Sequence, residues 1–165
     1  MAKITLGGNP IETKGNLPKI GEIAPDFTLT TVELGHKNLS DFTGKNVILN
    51  IFPSIDTGTC ATSVREFNKK ATSLDNTVVL CVSKDLPFAQ ARFCGAEGIE
   101  NVEMLSDFAN GNFGKNYNLD IVNGPLANLH SRAIVVLNTE GIVIHTEQVS
   151  EIAEEPNYEA ALNIL

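Results

Sequence analysis

The stretch that decides the fold is Asn50-Ile-Phe-Pro-Ser-Ile-Asp-Thr-Gly-Thr-Cys60. The apolar run over 46–52 has the composition of a buried β-strand. Beyond the loop, apolar residues recur at steps of four and three over about 59–75, which predicts an amphipathic helix. A strand therefore ends, the chain turns, and Cys60 lies in the first turn of a helix.

Cys60 lies at a position where a thiol gains reactivity. A free thiol titrates near pH ~8.5, so only about 3% of it is thiolate at neutral pH. The partial positive charge at the N-terminus of a helix favours the anion. We therefore interpret Cys60 as a nucleophile; the alternative is a small hydrophobic side chain of the core.

Length and composition indicate a single domain over 1–165. Hydrophobic residues make up 42% of the chain and charged residues 19%, which suits a globular protein. The net charge of −8 argues against a nucleic-acid or anionic-membrane partner. No apolar run approaches the roughly 20 residues of a membrane span, and the N-terminus lacks the apolar core of a signal peptide. Three cysteines, an odd number, do not suggest a secreted disulfide framework, so we expect a cytoplasmic protein.

Strands and helices alternate through the middle of the chain. The pattern predicts a hairpin within 1–16, a second buried strand over 77–83 and a helix over about 86–96. A later hairpin turns at Gly141, and Pro156 is expected to open a last helix that runs to the C-terminus. This order predicts an α/β fold: a central mixed β-sheet flanked by helices, with an N-terminal β-hairpin. A cysteine that opens the helix after the first core strand is typical of a thioredoxin-like fold.

Three further residues are candidates for a site around Cys60. Pro53 follows the strand, where it fixes the loop or only terminates the strand. Thr57 lies three residues before Cys60, where its hydroxyl reaches a thiolate or only caps the helix. Arg132 heads an apolar run, and it would reach the sulfur if that strand neighbours the strand at 46–52. Otherwise Arg132 is a surface cation.

The other two cysteines have different settings. Cys81 lies within an apolar strand and is interpreted as a core residue. Cys94 is followed by two glycines that suggest a helix end able to loosen, so it is either a second redox thiol or a core residue. A disulfide needs Cα atoms within roughly 7 Å, so pairing of Cys94 with Cys60 would require local unfolding if the two lie further apart than this in the reduced protein. The histidines and cysteines show no zinc-ligand spacing, so no metal is expected.

These motifs resemble the thiol peroxidase branch of the peroxiredoxins. The resemblance covers essentially the whole chain and rests on the stretches 50–60, 75–81, 85–90 with 92–98, 124–126 and 155–162. It implies a thioredoxin fold, a homodimer, and reduction of hydrogen peroxide and organic hydroperoxides with thioredoxin as the reductant and no cofactor. It also implies Cys60 as the peroxidatic cysteine, Cys94 as the resolving cysteine of the same chain, Thr57 and Arg132 as activators, and Pro53 as a shield.

Two other functions stay open on the residues alone. A disulfide reductase or isomerase would share the fold, but Thr57 occupies the position where its partner cysteine would lie. Insulin reduction without reactivity towards peroxide would favour that function. A redox-sensing binding protein would use the disulfide to change a partner surface. Slow reaction with peroxide, together with tight capture of a partner, would favour it.

Overall fold

An N-terminal hairpin forms its own two-stranded sheet. The computed structural model describes residues 1–165. Strand β1 (Lys3–Leu6) pairs antiparallel with β2 (Asn9–Glu12). Gly7 and Gly8 form the turn, and both have positive φ, 58° and 81°, which glycine adopts without strain. The predicted hairpin is confirmed.

A seven-stranded mixed sheet forms the centre of the molecule. Its strands are β3 (Thr28–Thr31), β4 (His36–Asn38), β5 (Asn46–Ile51), β6 (Thr77–Ser83), β7 (Glu103–Ser106), β8 (Ala133–Leu137) and β9 (Val143–Gln148). The spatial order is β4-β3-β7-β6-β5-β8-β9. The three middle strands β7, β6 and β5 run parallel, and the other pairings are antiparallel. The predicted mixed sheet and its later hairpin are therefore confirmed, whereas β4 has no apolar alternation and was not predicted.

Helices cover both faces of this sheet. They are α1 (Gly58–Ala71), α2 (Pro87–Glu97), α3 (Asn112–Asn116) and α4 (Tyr158–Leu162), together with a 3-10 turn at Leu39–Phe42. The longest has 14 residues, and none is both long and apolar enough to cross a bilayer.

Two predicted helix bounds were wrong. Helix α1 ends at Ala71 rather than near residue 75, because the hydroxyls of Thr72 and Ser73 donate to carbonyls of the last helical turn and so compete with helix continuation. Helix α4 does not open at Pro156. The Asn157 side chain caps it by accepting from the Ala160 amide at 3.0 Å, and the helix stops at Leu162.

The alternation of side chains along β5 divides the core into two layers. Val47, Leu49 and Ile51 face the layer under α3 and the 3-10 turn. Ile48 and the following Phe52 face the layer under α1, α2 and α4. Each fully buried large apolar side chain contributes roughly 1.5–3 kcal/mol, so these strands have a strong preference for the observed faces. Cys60 belongs to the second layer.

Candidate active site

Cys60 lies at the start of α1, directly after the central strand β5. The chain leaves β5 at Ile51, and Thr57 is the N-cap residue of α1, so Cys60 is the third helical residue. Its side chain is 0% exposed and belongs to the core layer that also holds Val64 and Phe67. The environment of the sulfur is therefore supplied by the protein rather than by solvent.

Arg132 brings a buried guanidinium to this sulfur. The residue is 2% exposed, and its Nη2 donates to Cys60 Sγ at 3.3 Å. Its Nε donates to the Ile152 carbonyl at 2.8 Å, whereas the buried Nη1 has no hydrogen-bond partner. Buried polar groups are nearly always paired, so this free donor marks a position that an acceptor can fill.

The sheet register explains why Arg132 reaches Cys60. Strand β8 pairs antiparallel with β5, and Ala133 lies opposite Ile51. Side chains alternate along a strand, so Arg132 shares the face of Ile134, which lies in the same core layer as Cys60. The sequence predicted this contact on the condition that the two strands are neighbours, and that condition is met.

Thr57 and Pro53 lie in the segment between β5 and α1, and the side chain of neither has a hydrogen bond to Cys60. The Thr57 residue is exposed, and its hydroxyl donates to the Ser54 carbonyl at 2.9 Å rather than to the sulfur of Cys60. Pro53 is buried in the loop that leads from β5 to α1. The structure therefore brings Arg132 into contact with Cys60 and keeps the Thr57 hydroxyl on the loop backbone.

Asp85 fixes the loop in front of α1. Its carboxylate accepts from the Ser54 hydroxyl at 2.8 Å and from the Ile55 amide at 2.7 Å. The Ser83 hydroxyl, at the end of β6, donates to the same carboxylate at 2.6 Å. Hydrogen bonds to a charged acceptor are stronger than neutral ones, about 1.5–3 kcal/mol each. Asp85 therefore ties the end of β6 to the loop that delivers Cys60.

The family relationships of the chain agree with this geometry. A family model described as Redoxin matches residues 19–162. The thiol peroxidase of Mycobacterium tuberculosis (strain ATCC 25618 / H37Rv) is 58% identical over 165 residues, which cover 100% of this chain and 99% of the relative. The chain belongs to the redoxin family, among its thiol peroxidases. The thiol peroxidase of Mycobacterium bovis has the same identity and coverage.

Solved structures confirm the thioredoxin-like peroxiredoxin fold of this redoxin. A peroxiredoxin-like protein from Aquifex aeolicus superposes with a TM-score of 0.92 at 35% identity, over 98% of this chain and 94% of that one. A thiol peroxidase from Chromobacterium violaceum gives a TM-score of 0.91 over the same shares at 21% identity, which supports the fold alone.

The three cysteines of this redoxin are free thiols in different environments. Cys81 is 0% exposed, and burial raises the pKa of its thiol to about 12. This agrees with its interpretation as a core residue. Cys94 is half-buried on α2, beside a cleft of about 460 Å³ that Val78 and Ile99 also line. Burial raises the pKa of the Cys94 thiol as well, so this thiol is protonated at neutral pH.

Two exposed ion pairs connect the Cys94 helix to the Cys60 helix and to the loop before it in this redoxin. Arg65 of α1 pairs with Glu97 of α2 at 2.9 Å. Arg92 of α2 pairs with Asp56, in the loop before α1, at 2.8 Å. Exposed ion pairs are worth about 0–1 kcal/mol each, so these contacts restrain the two helices only weakly.

The sequence alone indicated no role for Asp85 or for the segment 150–153, whose Ile152 carbonyl accepts a hydrogen bond from Arg132. An acidic residue just after a central parallel strand was a usable signal for Asp85, because such side chains meet at the edge where β5 also ends. The Ile152 carbonyl carries no such signal, since a backbone acceptor is available at every residue.

Proposed function

We propose that this redoxin reduces hydrogen peroxide and organic hydroperoxides at Cys60, with Cys94 as the resolving thiol and thioredoxin as the reductant. Its class, a thiol-dependent peroxidase, follows from its membership of the thiol peroxidases. The observation that carries the proposal is the 3.3 Å contact between Arg132 Nη2 and Cys60 Sγ. A guanidinium cannot be deprotonated in a protein, so it always stabilises negative charge on this sulfur.

The first step is attack of the Cys60 thiolate on the distal oxygen of the hydroperoxide. An S–O bond forms as the O–O bond breaks, and the departing oxygen takes up a proton and leaves as water or an alcohol. The cysteine becomes a sulfenic acid. Negative charge develops on the departing oxygen, where donors held in place in advance are most effective. The free Nη1 of Arg132 supports its role as one such donor.

In the proposed first step, Thr57 supplies a hydroxyl donor and Pro53 shields the sulfur from water. The Thr57 hydroxyl is bound to the Ser54 carbonyl, and rotation of its side chain would turn it towards a peroxide oxygen. The buried ring of Pro53 excludes water from the side of the loop. Because Cys60 is 0% exposed, the peroxide reaches it by outward movement of the exposed start of α1, at Thr57 and Gly58.

The second step joins Cys94 to the sulfenic acid of Cys60. An S–S bond forms and water leaves, which protects Cys60 from further oxidation to a sulfinic acid. Both helices must loosen, and the weak Arg65–Glu97 and Arg92–Asp56 ion pairs support this movement. Thioredoxin then supplies two electrons by thiol–disulfide exchange and returns both cysteines to thiols.

The proposal extends to assembly and location. We propose a homodimer on the resemblance to the peroxiredoxins, and sedimentation as a monomer at micromolar concentration would refute it. A cytoplasmic location suits the three free cysteines and a thioredoxin-dependent cycle.

Cysteine variants test the proposed cycle. The chain has no tryptophan, so tryptophan fluorescence cannot follow the reaction. Instead, the reduced protein is mixed with hydrogen peroxide and quenched rapidly with an alkylating agent, and its cysteines are mapped by mass spectrometry. Cys60→Ser is expected to abolish peroxide consumption, and Cys94→Ser to consume one equivalent and then stall with thioredoxin. Cys81→Ser is the matched control and is expected to turn over like the unmodified chain. Sustained thioredoxin-dependent turnover by Cys94→Ser would remove Cys94 from the cycle.

A further inference from the structure

The Glu151 carboxylate receives four hydrogen bonds, three of them from the turn region of the N-terminal hairpin. The Thr5 hydroxyl donates at 2.7 Å, and the amides of Gly7 and Gly8 each donate at 3.0 Å. The fourth donor is the Ala153 amide at 3.1 Å. These contacts lower the pKa of the Glu151 carboxyl to about 2, so it stays ionised throughout the neutral range. Glu151 thereby joins the hairpin turn to the segment 150–153.

Backbone and apolar contacts fix the same segment to the hairpin. The Thr5 amide donates to the Ser150 carbonyl at 2.7 Å, and the Ile152 amide donates to the Thr5 carbonyl at 2.9 Å. The Ile152 side chain is buried in a small cluster with Ile4 and Ile11 of the hairpin. The hairpin therefore determines where the carbonyls of this segment lie.

Two of these carbonyls hold the groups around the nucleophile. The Ile152 carbonyl accepts from Arg132 Nε at 2.8 Å, and the Ala153 carbonyl accepts from the Thr59 hydroxyl, in the first turn of α1, at 2.9 Å. Arg132 in turn contacts Cys60 Sγ. The contacts thus run without a break from the hairpin turn through Glu151 and the segment 150–153 to the sulfur.

We propose that Glu151 is a positioning residue for peroxide reduction: it joins the N-terminal hairpin to the segment whose Ile152 carbonyl orients Arg132. The inference rests on the proposed roles of Arg132 and Cys60. Its physical basis is that a misplacement of about 1 Å in a catalytic group can cost up to about 100-fold in rate. Glu151 does not touch the sulfur, so its effect passes through Arg132.

The test replaces Glu151 and measures the second-order rate constant for oxidation of Cys60 by hydrogen peroxide. Glu151→Gln keeps the side-chain shape but turns an amide NH₂ towards amide donors, and we expect the rate constant to fall about tenfold. The matched control is Glu154→Gln, which removes one charge from the same loop at an exposed side chain without a hydrogen-bond partner. We expect the control to keep the original rate constant. Thr5→Val removes one donor to Glu151 without changing charge and is expected to lower the rate constant in the same direction by a smaller factor.

A double-mutant cycle separates positioning from general loosening. If Glu151 acts through Arg132, Glu151→Gln will not lower the rate constant further in an Arg132→Lys background. Thermal unfolding is recorded for each variant, and rate constants are compared at 25 °C among variants that are folded at that temperature. An unchanged rate constant in Glu151→Gln, or an equal loss in both backgrounds, would overturn the inference. If Arg132→Lys itself left the rate constant unchanged, the proposed function of Arg132 would fail first, so the two failures are distinguishable.

Discussion

Replacement of Arg132 is the most direct test of the site. The guanidinium is buried, and its three nitrogens have different environments. Nε donates to the Ile152 carbonyl, Nη2 donates to Cys60 Sγ, and Nη1 has no hydrogen-bond partner. Arg132→Lys keeps the positive charge but offers a single ammonium group, which cannot reproduce the fixed fork of donors. Arg132→Met removes the charge while keeping most of the apolar stem.

The expected losses follow from the contacts. Lysine would lose about one charge-assisted hydrogen bond in the transition state, about 1.5–3 kcal/mol. Each 1.36 kcal/mol corresponds to a factor of ten, so peroxide oxidation of Cys60 should slow by about 10- to 150-fold. Methionine also removes the charge, and loss of a donor to a developing oxyanion costs about 10²- to 10³-fold. We therefore expect at least a 100-fold loss for Arg132→Met.

The assay is rapid-quench oxidation of Cys60 by hydrogen peroxide at 25 °C, with thermal unfolding recorded for each variant. Arg65→Lys is the control, because Arg65 lies on the Cys60 helix α1 and pairs with a carboxylate, but its side chain is 41% exposed. It should react at the original rate. A rate within threefold of the original for a folded Arg132→Met protein would refute the role given to this guanidinium.

The remaining predictions concern two carboxylates. The folded pKa of Glu151 is lowered from 4.5 to about 2, so its stabilising effect is complete above pH 4.5 and is lost as the pH falls towards 2. Urea unfolding midpoints should therefore be higher for the unmodified chain than for Glu151→Gln at pH 7, and the two should converge near pH 2; a constant difference across this range would contradict the assignment. Asp85→Asn weakens the acceptor for Ser54 and Ile55, and we expect it to destabilise the fold by about 1–3 kcal/mol and to slow Cys60 oxidation. Asp75→Asn, at an exposed side chain, is the control for Asp85 and should change neither the urea midpoint nor the rate.

Local sequence patterns predicted the elements around Cys60 well. The strand at 46–52 and the helix start near 59 agree with β5 and α1 within one or two residues. This is because an apolar run, a Pro/Gly loop and a four-and-three apolar pattern all act over short separations in the chain. Helix ends were predicted less well. At Thr72 and Asn157, single side-chain hydrogen bonds decide where a helix stops or starts, and the apolar pattern does not report them.

The parts of the site that depend on distant segments were predicted only in part. Arg132 was found because a charged residue at the head of a buried strand is unusual, yet its contact with Cys60 depended on the order of strands. In sequence, Glu151, Glu154 and Glu155 look alike and are typical of a solvated acidic face. In the structure Glu151 differs from Glu154 because only its carboxylate meets the hairpin turn, about 145 residues away in the chain.

The sheet register links these distant segments into one site. Ala133 lies opposite Ile51, so Arg132 points into the layer that contains Cys60 and Ile134. A slip of β8 by one residue would turn Arg132 to the opposite face, because side chains alternate along a strand. Such a slip would also carry buried valines out of their layers at roughly 1.5–3 kcal/mol each. The apolar residues of β8 thus hold the cation in place, and no additional contact is needed to choose its side of the sheet. The register of β8 does not fix the direction of the guanidinium within that layer. The Ile152 carbonyl, which the hairpin holds through Glu151, is placed to fix that direction.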